Sequence, residues 1–252
     1  MNTILLPKII SHRGANDLAP ENTKSSIKEA SLLGASFVEI DIKISKDEIP
    51  ILLHDDTVDR TTNGSGLCCE YNYEDLVKLD AGSWFNKKFK NEKVLTLDEC
   101  LDLLSELNMG VNIELKPNKN KEKNNVIKIR NLLNKKKFKN EYFFSSFDYY
   151  SIDIISKEMP LIPRGLLVEN NIDNKNFSLE NILDLLKRYN CFSIGFEKNL
   201  INKELVQFFK NQGYTLTVFT INDKQFAKEI FSWGVDSIFT DELNKFKEFI
   251  NQ

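Results

Sequence analysis

The stretch "IISHRGANDLAPENTKSSIKEA" (residues 9–30) joins a short apolar run, a polar loop and an amphipathic segment. The run ends on Ser11-His12-Arg13-Gly14, and the helical pattern starts only after Pro20-Glu21-Asn22-Thr23, where Asn22 or Thr23 can cap a helix. Strand, loop, helix is one β/α unit. The same unit recurs along the chain. Apolar or β-branched runs stand at 8–10 (KII), 36–44 (SFVEIDIKI), 110–115 (GVNIEL), 142–145 (YFFS), 162–168 (IPRGLLV), 191–196 (CFSIGF), 214–221 (YTLTVFTI) and 235–239 (VDSIF). Segments of helical periodicity lie between them, and "ELNKFKEFI" follows the last. Eight such repeats predict an α/β fold, a (β/α)8 TIM barrel, in preference to an open doubly wound sheet.

One interval breaks the rhythm. About 65 residues separate "VEIDIKI" from "GVNIEL", far more than a helix crossover needs. The sequence there predicts the second strand continuing through a turn at Asp47-Glu48, then a loop loosened by Gly64 and Gly66, with Thr96 capping the next helix. Residues 54–96 are therefore expected to form a small insertion after the second strand, on the catalytic rim of a single 1–252 domain. Its aromatics Tyr71, Tyr73, Trp84, Phe85 and Phe89 serve either as that subdomain's own core or as a pocket wall.

Totals narrow the function class. The 252 residues are 41% hydrophobic and carry a net charge of −3, which offers no reason to expect nucleic acid. Ten Lys/Arg against one acid over 116–139 suit the solvent face of a helix, with "KPNKNKEK" placed to draw anions toward the rim. Cys68, Cys69, Cys100 and Cys191 lack zinc spacing and are expected to be reduced thiols. No apolar stretch is long enough to span a bilayer, and "ILLPKII" is too short for a secretory core. A soluble, cytoplasmic protein without stable membrane insertion is expected.

In such a barrel the site lies at the C-terminal ends of the strands. Those ends carry His12-Arg13, Glu39 and Asp41, His54-Asp55, Glu114 and Lys116, Ser145-Ser146, and Thr240-Asp241. The chain has 2 histidines, and both terminate apolar runs. Glu39, Asp41 and Glu114 suit a hard divalent cation, since oxygen donors select Mg2+ or Ca2+. The other reading is that Arg13 and Lys116 neutralise these acids without a metal. Two basic groups, two imidazoles and a cation together point to attack on a phosphoryl group, with the histidines dividing the acid and base roles.

These residues fall in a set of motifs. "SHRG", "PENT", "VEIDI", "HDDTVDRTTNGSG", "DAGSWF", "TLDECLDLL", "NIELK" and "GVDSIFTDE" follow in order from about residue 8 to about 243. Together they resemble the glycerophosphodiester phosphodiesterases. The resemblance implies the (β/α)8 barrel with its insertion, and divalent-cation-dependent cleavage of a small-molecule glycerophosphodiester to sn-glycerol 3-phosphate and an alcohol. It implies that His12 and His54 are catalytic, that Glu39, Asp41 and Glu114 hold the metal, and that Arg13 and Lys116 contact the phosphate. Glu21 of "PENT" is expected to orient His12 or the metal shell. Phe219 stands where many members have Trp, keeping an apolar face for the glycerol backbone but no indole N–H. On this basis His54 is expected to act as base toward the glycerol 2-hydroxyl and His12 as acid toward the leaving alcohol, through a cyclic glycerol phosphate, with direct attack by water as the alternative route. A lysophospholipase D-like enzyme and a non-catalytic barrel that binds head groups are the alternatives.

Overall fold

The computed structural model describes residues 2–169 and 178–250. The strands are β1 (Ile9–His12), β2 (Phe37–Ile44), β3 (Pro50–Leu52), β4 (Gly110–Leu115), β5 (Tyr142–Ser146), β6 (Arg164–Val168), β7 (Ser193–Glu197), β8 (Thr215–Phe219) and β9 (Ser237–Thr240). The α-helices are α1 (Lys24–Leu32), α2 (Tyr73–Leu76), α3 (Leu97–Leu107), α4 (Glu122–Lys136), α5 (Tyr149–Glu158), α6 (Leu179–Arg188), α7 (Lys203–Asn211), α8 (Lys224–Trp233) and α9 (Lys247–Ile250). Strand β1 pairs in parallel with both β2 and β9, which closes the sheet into a barrel. Of the 9 strands, β3 alone stands outside that ring. The eight remaining strands match the eight apolar runs, and helices alternate with them as in a TIM barrel.

Strand β3 is where the fold departs from the expected extension. The turn after β2, with Glu48 at φ 61°, reverses the chain, and β3 runs antiparallel with Ile42 opposite Leu52. The Leu53 N–H then donates to the Asp41 carbonyl (3.1 Å), so the next residue, His54, returns to the strand that carries the carboxylates.

Alternation of side chains along each strand divides the barrel into an outer and an inner face. Outward residues such as Val38, Ile40, Ile42, Val111 and Ile113 are fully buried against the helices. Each contributes about 1.5–3 kcal/mol on burial. Inside, Leu6, Ile10, Phe37, Phe143, Phe192 and Phe239 plug one end of the barrel. Gly110 makes room for this plug, because a Cβ there would meet the Phe37 ring at 2.1 Å. Beyond the plug, toward the C-terminal strand ends, the inward positions turn polar at His12, Glu39, Asp41, Asn112 and Glu114.

Helix α3 shows how local sequence sets an element. Thr96 accepts from the Glu99 N–H (3.1 Å) while Glu99 accepts from the Thr96 N–H (2.9 Å), a reciprocal capping box. Leu97, Cys100, Leu101 and Leu104 then recur at helical spacing on the buried face. The helix stops at Asn108, whose φ of 54° takes the chain out of helical geometry. Helix α1 starts in the same way, with Thr23 as N-cap and Ser26 returning the bond.

The chain between β3 and α3 builds a separate apolar cluster from Leu53, Val58, Cys68, Leu76, Ala81 and Val94, covered by Tyr71 and Tyr73. Trp84, Phe85 and Phe89 pack edge to face, with successive ring centroids 5.7 Å apart. The lysines of α4 lie on its outer face while Val126, Ile129 and Leu133 face the barrel. All four cysteines are free thiols. Among the described residues no helix is long and apolar enough to cross a membrane.

Candidate active site

The polar end of the barrel opens into a cavity of about 190 Å³. His12, Arg13, Glu39, His54, Glu114, Lys116 and Phe219 line it, so the structure brings together seven of the nine residues expected at the site. Asp41 sits just beneath, fully buried, with its Oδ1 3.9 Å from Lys116 Nζ. Glu21 stands apart, behind Arg13. None of the five insertion aromatics is among the cavity's described lining residues.

The carboxylates come from adjacent strands held in register. Strands β2 and β4 pair Asp41 with Glu114, while β1 and β2 pair His12 with Glu39. Ligand oxygens of Glu39, Asp41 and Glu114 lie within 4.8 Å of one another. Two cations serve these three buried acids. Arg13 Nε is 3.1 Å from Asp41 Oδ2, and Lys116 Nζ is 2.5 Å from Glu114 Oε1. Asn22 Nδ2 donates to Asp41 Oδ2 (2.8 Å). Glu39 receives the Arg13 backbone N–H (3.0 Å), and His12 Nε2 lies 3.9 Å away, but Glu39 Oε1 has no hydrogen-bond partner among the described residues. Asp41 Oδ1 likewise has none among the described residues.

The electrostatics follow from this arithmetic. Burial drives the Glu39 carboxyl well above its usual range, and the neighbouring Asp41 and Glu114 add to the shift. Burial also raises Glu114, with Lys116 opposing. At Asp41 burial is outweighed by Arg13 and Lys116, and its carboxyl stays below the ordinary range. Three buried carboxylates with ligand oxygens within 4.8 Å of one another, and two basic side chains ion-paired to them, fit a divalent cation.

Each histidine is held by its own aspartate. His12 Nδ1 is 2.6 Å from Asp241 Oδ1, and Asn16 and Asn222 fix that carboxylate at 2.7 and 2.8 Å. His54 Nδ1 is 2.6 Å from Asp55 Oδ1. Both aspartates are held well below the usual carboxyl range. At Asp241 hydrogen bonds from His12, Asn222 and Asn16 outweigh burial, and at Asp55 the Arg60 guanidinium is the main cause. An ionised carboxylate only accepts, so each Nδ1 carries the proton and each Nε2 remains for chemistry. Burial lowers the His54 pKa, and the positive charges of Arg13 and Lys116 act in the same direction against Asp41.

The "SHRG" turn is shaped for this task. Arg13 has φ 56° and Gly14 φ 86°, two successive left-handed residues. A Cβ at Gly14 would fall 2.4 Å from Ser26 Oγ, so the close approach of the loop to α1 requires glycine. The turn aims the Arg13 N–H at Glu39 and its guanidinium at Asp41 and Glu21.

Other contacts carry no signal that a sequence alone exposes. Asp241 follows the last strand, but only the closed barrel puts it beside His12. Glu21 turns both its oxygens to Arg13 (2.9 Å) and Arg60 (2.7 Å) rather than to His12. Asn112, Phe147, Leu167, Glu169, Thr220 and Phe239 complete the cavity wall. Phe219 stacks edge-on against Phe147 (5.4 Å), whose ring also lies 4.8 Å from Lys116 Nζ.

Known proteins share this arrangement's sequence and fold. Residues 12–245 match the glycerophosphoryl diester phosphodiesterase family. A glycerophosphodiester phosphodiesterase of Caldanaerobacter subterraneus subsp. tengcongensis is 34% identical over 93% of both chains. An Oleispira antarctica phosphodiesterase, solved in complex with the product sn-glycerol-3-phosphate, superposes with a TM-score of 0.91 at 32% identity over 98% of both chains. A glycerophosphodiester phosphodiesterase from Agrobacterium tumefaciens gives a TM-score of 0.80 at 28% identity, covering 96% of this chain and 100% of that one. With a family match over nearly its whole length and a 34% identical relative of matching size, the chain is an enzyme of the glycerophosphoryl diester phosphodiesterase family.

Proposed function

We propose that the protein hydrolyses small glycerophosphodiesters to sn-glycerol 3-phosphate and an alcohol, using His12 and His54 as the acid–base pair and a divalent cation, Mg2+ or Ca2+, held by Glu39, Asp41 and Glu114. The observation that carries this reading is the meeting of two aspartate-oriented imidazoles with a cluster of three buried carboxylates at and just beneath one cavity. Bound there, a divalent cation would supply Lewis-acid polarisation of a phosphoryl oxygen.

The residues of the chain divide the remaining work. Arg13 and Lys116 offset the charge of the phosphate as the pentacovalent centre develops. His54, neutral at physiological pH, takes the proton of the glycerol 2-hydroxyl on Nε2 as that oxygen attacks phosphorus. His12 gives its Nε2 proton to the leaving alcohol, which departs with the electrons of the broken P–O bond. The cyclic glycerol phosphate is then opened by water with the two histidines exchanging roles, which returns both to their starting states. Phe219 offers an apolar face to the glycerol carbons.

The lining of the cavity supports a phosphodiester substrate. The cavity, about 190 Å³, is lined by His12, Arg13, His54 and Lys116 on its polar side and by Phe147, Leu167, Phe219 and Phe239 on its apolar side, a mixture suited to a phosphate joined to a glycerol backbone. We further propose that residues 54–96 act as an insertion subdomain on the rim of a single domain and that the enzyme works in the cytoplasm. Phosphorus NMR of glycerophosphocholine turnover tests the route. Transient cyclic glycerol phosphate before sn-glycerol 3-phosphate is expected, and equal turnover of a diester lacking the 2-hydroxyl would overturn it.

A further inference from the structure

Arg60 lies in the "HDDTVDRTTNGSG" motif, outside the cavity, with its side chain 44% exposed. It nevertheless makes the densest set of charge-assisted bonds near the site. Its Nε donates to Asp55 Oδ2 (2.7 Å) and its Nη2 to Asp55 Oδ1 (3.0 Å). Its Nη1 donates to Glu21 Oε2 (2.7 Å) and its Nη2 to Glu21 Oε1 (2.9 Å). One planar guanidinium thus engages two carboxylates, each through both oxygens.

Those carboxylates have further partners. Asp55 orients His54, at 2.6 Å. Glu21 binds Arg13 (2.9 Å), which reaches Asp41 through Nε (3.1 Å) and Glu39 through its backbone N–H (3.0 Å). The result is one unbroken chain from His54 through Asp55, Arg60, Glu21 and Arg13 to Asp41. Arg60 is its central link, and its hydrogen bonds tie the segment after β3, which carries His54, to the 13–21 loop, which carries Arg13.

We propose that Arg60 is a positioning residue for the hydrolysis, fixing the His54–Asp55 pair in register with Arg13 and the carboxylate cluster. The inference rests on the diesterase reading of the site. It explains why an exposed arginine needs its fork: a lysine ammonium cannot hold both carboxylates in plane, so Arg60→Lys is not conservative here. Because Arg60 touches neither cavity nor cluster, its loss should leave cation binding intact and act on the rate of the chemical step.

The test is Arg60→Ala and Arg60→Lys against the wild-type enzyme, with steady-state hydrolysis of glycerophosphocholine, Mg2+ binding by calorimetry, and thermal unfolding. Lys78→Ala, which breaks an exposed Lys78–Asp75 pair in the same segment, is the control expected to keep wild-type kinetics. For both Arg60 variants kcat should fall by roughly 10²-fold with KM changed less than about threefold. Mg2+ affinity should stay at the wild-type value, and guanidinium ion added in the millimolar range should restore at least about tenfold of the lost kcat to Arg60→Ala. An active wild type with a kcat for Arg60→Ala within about threefold of its own would overturn the inference alone. So would a loss that guanidinium leaves untouched while the unfolding temperature collapses, since that is a structural defect. An inactive wild type would overturn the diesterase reading, and this inference with it.

Discussion

His12 Nδ1 and Asp241 Oδ1 stand 2.6 Å apart although 229 residues separate them in the chain. The contact exists only because β1 closes the barrel against β9, where Ser11 pairs with Thr240. Barrel closure and orientation of the His12 imidazole are therefore one structural event. Asn16 and Asn222 hold the other faces of the same carboxylate, so Asp241 has little freedom to follow the imidazole elsewhere.

Asp241→Asn keeps the shape of this contact but removes the charge that fixes the Nδ1–H tautomer. It should lower kcat by roughly 10²-fold or more with little change in the unfolding temperature. Steady-state kinetics alongside thermal unfolding checks this. A kcat within about threefold of wild type would show that the Asp241 charge does not serve the reaction through His12.

Glu39 makes the stability of the cation-free protein depend on pH. Its carboxyl is raised well above the ordinary 4.5 by burial and by Asp41 and Glu114, so the folded state holds a proton that the unfolded state releases. Stability should then fall as pH rises above about 4.5 and continue falling until the raised folded-state pKa is passed. Glu39→Gln should flatten that slope and raise the Tm of EDTA-treated protein at about pH 8 by at least about 2 °C, the response of a chain this size to roughly 1 kcal/mol. The same change should weaken Mg2+ binding. Thermal unfolding across pH with and without EDTA gives both readings, and an unchanged slope in Glu39→Gln would place the proton elsewhere.

Thr96→Ala removes one half of the α3 capping box. The helix loses the bond to the Glu99 N–H, and Glu99 loses its hydroxyl donor (2.8 Å). A cost of about 1 kcal/mol in unfolding free energy is expected, with kinetics unchanged. Urea titration measures it, and a loss under about 0.3 kcal/mol would show that the cap contributes nothing beyond solvent.

The fold was legible because parallel barrel strands are buried on both faces and therefore read as apolar runs. "PILL" was not separable as its own strand, since the turn before it lacks a glycine and is made instead by Glu48 in a left-handed conformation. The carboxylates were legible because a glutamate inside "FVEIDI" is too costly to bury without a partner. His12 and His54 stood out by ending apolar runs. The roles of Asp241 and Arg60 were hidden, since they depend on contacts across 229 and 39 residues that only closure of the barrel and the return of β3 create. Glu21 belonged to a visible motif, yet its partners are Arg13 and Arg60, a pairing that no spacing in the chain announces.

The most direct test is release of sn-glycerol 3-phosphate from glycerophosphocholine, followed in a coupled assay with Mg2+, Ca2+ or EDTA for the wild type, His12→Ala and His54→Ala. Cation-dependent release by the wild type, abolished by EDTA and reduced at least roughly 10²-fold in each folded histidine variant, is the predicted result. Release that persists in EDTA, or a histidine variant that turns over at the wild-type rate, would contradict it.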